Sequence, residues 1–126
     1  MPYLLDTVAF YFASKTPERL SKRVADIFAD PETDLLLSSV SLSEIAIKNT
    51  VGKTTLPLDD LKRGLEDLRI QLVSYTPKHA IRLFEMPVHH RDPFDRQIIA
   101  QAMSEEVPVI TCDEKFRLYE GLEVVW

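Results

Sequence analysis

Apolar residues fall along this chain in two alternating patterns: short dense runs, and longer stretches with the spacing of a helix. The dense runs are Tyr3-Leu4-Leu5, Asp34 to Ser38, Ile70 to Ser74, Val107 to Thr111 and Glu123 to Trp126. Each is bounded by polar or turn-forming residues, which marks a buried strand. Between them, Leu20, Val24, Ile27 and Phe28 recur at helical intervals, so Ser21 to Ala29 reads as a helix stopped by Asp30-Pro31. A turn at Asp6-Thr7 leads into a helix from about Val8. Ser41-Leu42-Ser43-Glu44 opens a helix reaching about Asn49 and closed by Gly52. Pro57 to Arg69 carries Leu58, Leu61, Leu65 and Leu68 on one face, and Pro77 to Phe84 forms a shorter helix. Met86 to His90 is a loop. Asp92-Pro93-Phe94-Asp95 then starts the most regular helix, with Ile98, Ile99, Ala102 and Met103 on its buried side.

Strands that alternate with helices need crossover connections, and these favour parallel pairing with helices on both faces. The expected fold is a single α/β domain over residues 1–126, with a mostly parallel sheet of four or five strands in three layers. A chain of 126 residues suits one domain. No internal repeat or low-complexity tract interrupts it.

Composition narrows the chemistry. With 45% apolar and 28% charged residues the chain is an ordinary globular protein. Only 3 glycines are present, so no glycine-rich phosphate loop is available. Cys112 is the only cysteine, which excludes an intrachain disulfide and a cysteine-based zinc site and fits a reducing cytoplasm. No run approaches the roughly 20 apolar residues that span a bilayer, so no membrane association is expected. The formal charge of -5 argues against an overall basic nucleic-acid surface. Any such function must come from local clustering.

Four acids are placed to cluster. In an open parallel sheet, ligands bind beyond the carboxyl ends of the strands. Asp6 follows the first strand and Asp113 follows the fourth, while Glu44 and Asp95 lie in first turns of helices. Each also has a plain structural explanation. Asp6 and Asp113 suit turns or helix caps, Glu44 completes a Ser-x-x-Glu capping box from Ser41, and Asp95 complements a helix dipole. Gathered at one sheet edge, however, four carboxylates repel by several kcal/mol at separations of about 4 Å. A hard divalent cation such as Mg²⁺ or Mn²⁺ reverses that repulsion and activates water.

The segments bearing these acids resemble the PIN-domain nucleases, and in particular the VapC-type toxins of toxin–antitoxin pairs. The resemblance runs through Tyr3-Leu4-Leu5-Asp6-Thr7, Val40-Ser41-Leu42-Ser43-Glu44-Ile45-Ala46-Ile47-Lys48, His90-Arg91-Asp92-Pro93-Phe94-Asp95-Arg96-Gln97 and Val109-Ile110-Thr111-Cys112-Asp113-Glu114-Lys115-Phe116. It implies that Asp6, Glu44, Asp95 and Asp113 line a Mg²⁺ or Mn²⁺ site and that RNA is cut there. It also implies a cognate antitoxin, a homodimer and a cytoplasmic location. Thr111 matches the small hydroxyl residue before the last acid. Asp92 matches an extra acid of this branch, although its position as N-cap before Pro93 accounts for it as well. A catalytically silent PIN-like module that binds RNA or protein is the alternative. A receiver-type phosphoacceptor domain fits less well, because Asp6 has no acidic neighbour and no lysine follows the last strand in the required place.

Several further residues are candidates. Arg91 and Arg96 suit phosphate geometry. Lys48 stands one turn beyond Glu44 and either pairs with it or reaches substrate. His89 and His90 read as a solvated loop beside the site more readily than as phosphate ligands. Phe10, Tyr11, Phe12 and Phe116 are equally suited to base stacking and to core or partner contacts. The outer side of the first helix offers a surface for a dimer or an antitoxin. His79 reads as structural, Cys112 as a small packing residue and Lys115 as a solvated charge.

Overall fold

A computed structural model describes all residues from 1 to 126. Its sheet has five parallel strands: β1 (Pro2–Leu5), β2 (Asp34–Ser38), β3 (Ile70–Val73), β4 (Val109–Ile110) and β5 (Val124–Val125). Six helices connect them: α1 (Thr7–Lys15), α2 (Lys22–Ala29), α3 (Ser39–Thr50), α4 (Leu58–Asp67), α5 (Pro77–Arg82) and α6 (Pro93–Glu105). The spatial order is β3-β2-β1-β4-β5. The chain therefore moves outward from β1 through β2 to β3, then returns to β1's other side to begin β4. That reversal creates a crevice between β1 and β4 at their carboxyl ends, the usual ligand position in such sheets.

The dense apolar runs form strands because both sheet faces are covered. Leu5, Leu35, Leu37, Ile110 and Val125 point to one core, with Ala9, Phe10, Val24 and Leu61 from helices α1, α2 and α4. Leu4, Leu36, Val109 and Val124 point to the other, against Ile98, Ile99 and Ala102 of α6 and against Phe116 and Tyr119. Alternation of side chains along each strand thus builds two cores from one sheet. Helix α3 serves both, with Ile45 in the first and Val40 in the second.

The expected fold class is the one observed, and the sheet is wholly parallel. Boundaries differ where long-range pairing decides them. Val107 to Thr111 contributes only Val109–Ile110 to the sheet, because Pro108 has no N–H to donate. Its carbonyl accepts from Leu4 N at 2.9 Å. Pro77 to Phe84 divides into α5 and a 3₁₀ turn over Leu83–Glu85. Helix α1 begins at Thr7, with Asp6 as its N-cap.

The capping box assigned to Ser41 is corrected. Ser38 is the cap of α3, its hydroxyl accepting from Val40 N at 3.1 Å. Strand β2 pairs through Ser38, so the helix must start directly after it. Glu44 consequently stands in the second turn, where it faces inward with only 4% of its surface exposed.

Candidate functional site

Two threonines tie three of the four acids together at the crevice. Asp6, 2% exposed, accepts from Ala9 N at 2.8 Å through Oδ1 and from the Thr111 hydroxyl at 2.6 Å through Oδ2. Thr111 Oγ1 in turn accepts from Asp113 N at 3.0 Å. On the other side, the Thr7 hydroxyl donates to Glu44 Oε1 at 2.6 Å, with Ser41 Oγ 2.9 Å from the same hydroxyl oxygen. The register Leu5↔Ile110 brings Asp6 and Thr111 level although 105 residues separate them. Thr7 and Ser41 went unread as site residues in the sequence. Three serines alternate at positions 39, 41 and 43, and only the true helix start reveals which one turns inward.

Asp95 comes from the first turn of α6. The N-cap of that helix is Asp92, whose Oδ1 accepts from Phe94 N and Asp95 N, each at 2.9 Å. Its capping role is therefore realised, and its exposed side chain adds negative charge beside Asp95. Asp95 itself accepts no hydrogen bond from the protein. Burial pushes its carboxyl up to about 8, helped by the charges of Asp92, Asp6, Glu44 and Asp113. Asp6 is pushed up to about 6, again chiefly by burial, with Thr111 and Ala9 opposing and Asp113 and Glu44 reinforcing. Asp6, Glu44 and Asp113 therefore all lie within electrostatic reach of Asp95. No three of the four stand close enough to share an ion in this arrangement.

Cationic groups are sparse here. Lys48 Nζ lies 2.5 Å from Glu44 Oε2, and this pairing, aided by the Asp92 charge, raises the lysine's affinity for its proton. The pair of Lys48 with Glu44, one of the two uses open to it, is formed here. Arg96 is braced within the fold: Nη1 donates to Pro87 O at 2.9 Å and to the Tyr119 hydroxyl at 3.1 Å. Arg91 is exposed.

His90 departs from the solvated loop expected of it. Its side chain is 6% exposed, lies against Phe116 and Tyr119, and has Nδ1 2.8 Å from the Tyr119 hydroxyl. Nε2 stands 3.6 Å from Asp95 Oδ2. Burial lowers the His90 pKa, against the pull of Asp113 and Asp92. Tyr119, 29 residues away, gave no local signal of this contact. Phe10 and Phe116 are core residues, and Tyr11 and Phe12 are half-buried. Cys112 is exposed rather than packed. His79 is structural as expected: Nδ1 accepts from Thr76 N at 3.0 Å, and Nε2 lies 2.7 Å from Glu105 Oε1.

The donor set suits a hard cation in kind. It offers four carboxylates and no thiolate, and Asp95 holds its proton into the neutral range chiefly because it is desolvated, with the neighbouring acids adding to the effect.

Comparison with known proteins agrees with this architecture. Several solved structures match over nearly the full length. VapBC2 from Rickettsia felis, bound to a DNA fragment from its promoter, aligns with a TM-score of 0.75 at 18% identity, covering 99% of this chain and 98% of that one. DNA-bound VapBC from Salmonella typhimurium gives 0.73 at 19%, covering 99% and 97%. VapBC-5 from Mycobacterium tuberculosis, a member of the VapBC family of toxin–antitoxin systems, gives 0.60 at 19%, covering 98% and 97%. No curated protein sequence matches the chain. At such identities the solved structures establish the fold alone, whereas the model of the PIN domain matches residues 3–122 in sequence. The chain belongs to the PIN-domain family.

Proposed function

We propose that this protein is a divalent-metal-dependent endoribonuclease, the toxin of a toxin–antitoxin pair, with Asp6, Glu44, Asp95 and Asp113 as its working acids. One observation carries the reading. The charges of Asp6, Glu44 and Asp113, from three other segments, all act on the carboxyl of Asp95, and Lys48 is the one ammonium or guanidinium paired with any of the four. Such crowding is unfavourable for stability unless a cation or a phosphate-bound cation uses it.

Asp6, Glu44, Asp95 and Asp113 would hold Mg²⁺ or Mn²⁺, with Asp92 adding charge from the rim. A bound ion of this kind supplies a polarised water and neutralises charge developing on the scissile phosphate. The chain's own residues prepare the site. Thr111 and Thr7 fix the carboxylates of Asp6 and Glu44, each using one lone pair and leaving others for a ligand. Asp113 fixes its own turn, Oδ1 accepting from Lys115 N at 2.9 Å, and keeps Oδ2 free. Arg91, exposed beside Asp92, is available to a phosphate.

The three structural neighbours are VapBC proteins, which supports a toxin–antitoxin setting. Exposed Val8 on α1, Ile47 on α3, Val51 just after it and Leu58 on α4 support a protein partner, either the antitoxin or a second copy. No helix is long and apolar enough to cross a membrane.

The test is cleavage of a panel of structured RNAs by the purified protein with Mn²⁺ or Mg²⁺, and then with EDTA. Cleavage that needs the ion and disappears in Asp6→Asn and Asp95→Asn is expected. Full activity in either variant removes the four-acid site, and binding of RNA without cutting removes the enzymatic reading and leaves the silent binding module.

A further inference from the structure

We infer that His90 is a positioning residue for the Asp95 carboxylate, held in its Nε2–H form by a one-way hydrogen-bond chain running from Arg96 through Tyr119. The inference rests on the reading of Asp95 as a working acid. It begins from the chemistry of the first link. A guanidinium has donors only, so at 3.1 Å Arg96 Nη1 must donate and the Tyr119 oxygen must accept. The hydroxyl's own proton then has one acceptor in place, His90 Nδ1 at 2.8 Å. An imidazole that accepts at Nδ1 carries its proton on Nε2. The tautomer is thus fixed by the direction of the chain.

The chain is anchored at its far end and shaped along its length. Arg96 also donates to Pro87 O at 2.9 Å, which ties the loop before His90 to helix α6. The His90 ring stands edge-on to Tyr119 at 5.5 Å and tilted to Phe116 at 5.9 Å, so its plane is set by packing. At the near end, Nε2 is buried with no hydrogen-bond partner. Asp95 Oδ2 faces it at 3.6 Å, beyond hydrogen-bond length but within reach of a small side-chain rotation. Asp95 likewise lacks any other protein donor. Buried groups rarely stay unpaired, and the acceptor that faces buried Nε2 is the Asp95 carboxylate, 21% exposed. Closing that gap selects one orientation of the Asp95 carboxylate, as outer partners do for metal-binding carboxylates.

The experiment has a spectroscopic arm and a kinetic arm, both on the full chain. Two-bond ¹H–¹⁵N spectra of the histidine rings are expected to show His90 protonated at Nε2, and Tyr119→Phe is expected to weaken that preference. The ¹³C shift of the Asp95 carboxyl is expected to move in His90→Ala and return in His90→Gln, whose amide N–H reaches the Nε2 position. In Mn²⁺-supported RNA cleavage, His90→Ala is expected to lose roughly tenfold or more in kcat with KM within about twofold, and His90→Gln to recover most of it. If His90→Ala does not fold, Tyr119→Phe and His90→Gln carry both arms. A wild-type proton on Nδ1, or an Asp95 carboxyl indifferent to all three substitutions, overturns the inference. Should the wild type cut no RNA, the nuclease reading fails, while the spectra still decide whether His90 holds Asp95.

Discussion

Thr7 donates its hydroxyl proton to Glu44 Oε1 at 2.6 Å, joining the first residue of α1 to the inward face of α3 across 37 positions of sequence. Both groups are buried, so the carboxylate relies on this donor and on Lys48 for its charge. A hydrogen bond to a charged, buried group contributes roughly 1.5–3 kcal/mol. Thr7→Val keeps the side-chain shape and removes the donor. It is expected to lower urea stability by about that amount, and metal-supported RNA cleavage by roughly tenfold. Thr7→Ser keeps the hydroxyl and is expected to retain both. A Val variant as stable and as active as wild type would show that Thr7 only fills space.

The raised carboxyls make a prediction about pH. Asp6 and Asp95 titrate at about 6 and about 8 in the folded chain, against 3.8 ordinarily. Because the folded values lie above the unfolded ones, the native state binds more protons between them. Their favourable contribution is complete below about pH 4 and is lost as pH rises through about 6 for Asp6 and about 8 for Asp95. Metal-free protein is therefore expected to show a falling Tm across the neutral range. Asp95→Asn should flatten the upper part of that fall. Mn²⁺ should restore Tm most at alkaline pH, where the site is fully charged. Thermal melts with EDTA across a pH series give the slope, and a Tm that rises steadily with pH in wild type contradicts the crowding.

Asp6, Asp95 and Asp113 are legible in the sequence because they sit at fixed landmarks, namely a strand end or a helix start after a proline turn, whereas Glu44 lies one turn deeper in its helix than the sequence indicates. What was hidden depended on contacts across the chain. Ser38, Ser39, Ser41 and Ser43 all suit a cap locally, and only the pairing of β2 with β3 selects Ser38 and sends Ser41 and Glu44 inward. His90 looked like a loop residue because its packing partners, Phe116 and Tyr119, arrive from the segment after β4. Arg96 offers a phosphate ligand by type, and the sequence gives no sign that its Nη1 also donates to Tyr119 and Pro87. The structural and functional readings of Asp6, Asp92 and Asp113 do not compete: all three cap a turn or helix and still carry charge to the crevice.

His79 supplies a control remote from the acids. It is 3% exposed, accepts from Thr76 N at the start of α5 and contacts Glu105 at the end of α6. His79→Ala removes the acceptor of the part-buried Thr76 N–H and the buried ring itself, which costs roughly 1–3 kcal/mol. The expected result is a lower denaturation midpoint with unchanged cleavage per folded molecule. A selective loss of activity at full stability would mean that the α5–α6 contact reaches the crevice.

Lys48 separates two uses of a cation. Its ammonium sits 2.5 Å from Glu44 Oε2 with 36% of its side chain exposed, so water screens the pair and its net contribution to stability is about 1 kcal/mol at most. If its role is to neutralise Glu44, it competes with a divalent ion for the same carboxylate. Lys48→Ala is then expected to tighten Mn²⁺ binding by up to about fivefold, the factor that such a pair corresponds to. If the ammonium instead leaves Glu44 for a phosphate when RNA arrives, the same variant raises KM for RNA. Titrating Mn²⁺ by calorimetry and measuring KM at saturating Mn²⁺ distinguishes the two effects. Tighter metal binding with unchanged KM assigns Lys48 to the carboxylates alone. Weaker metal binding would contradict the electrostatic account, since removing a positive charge from an acidic site must deepen its negative potential.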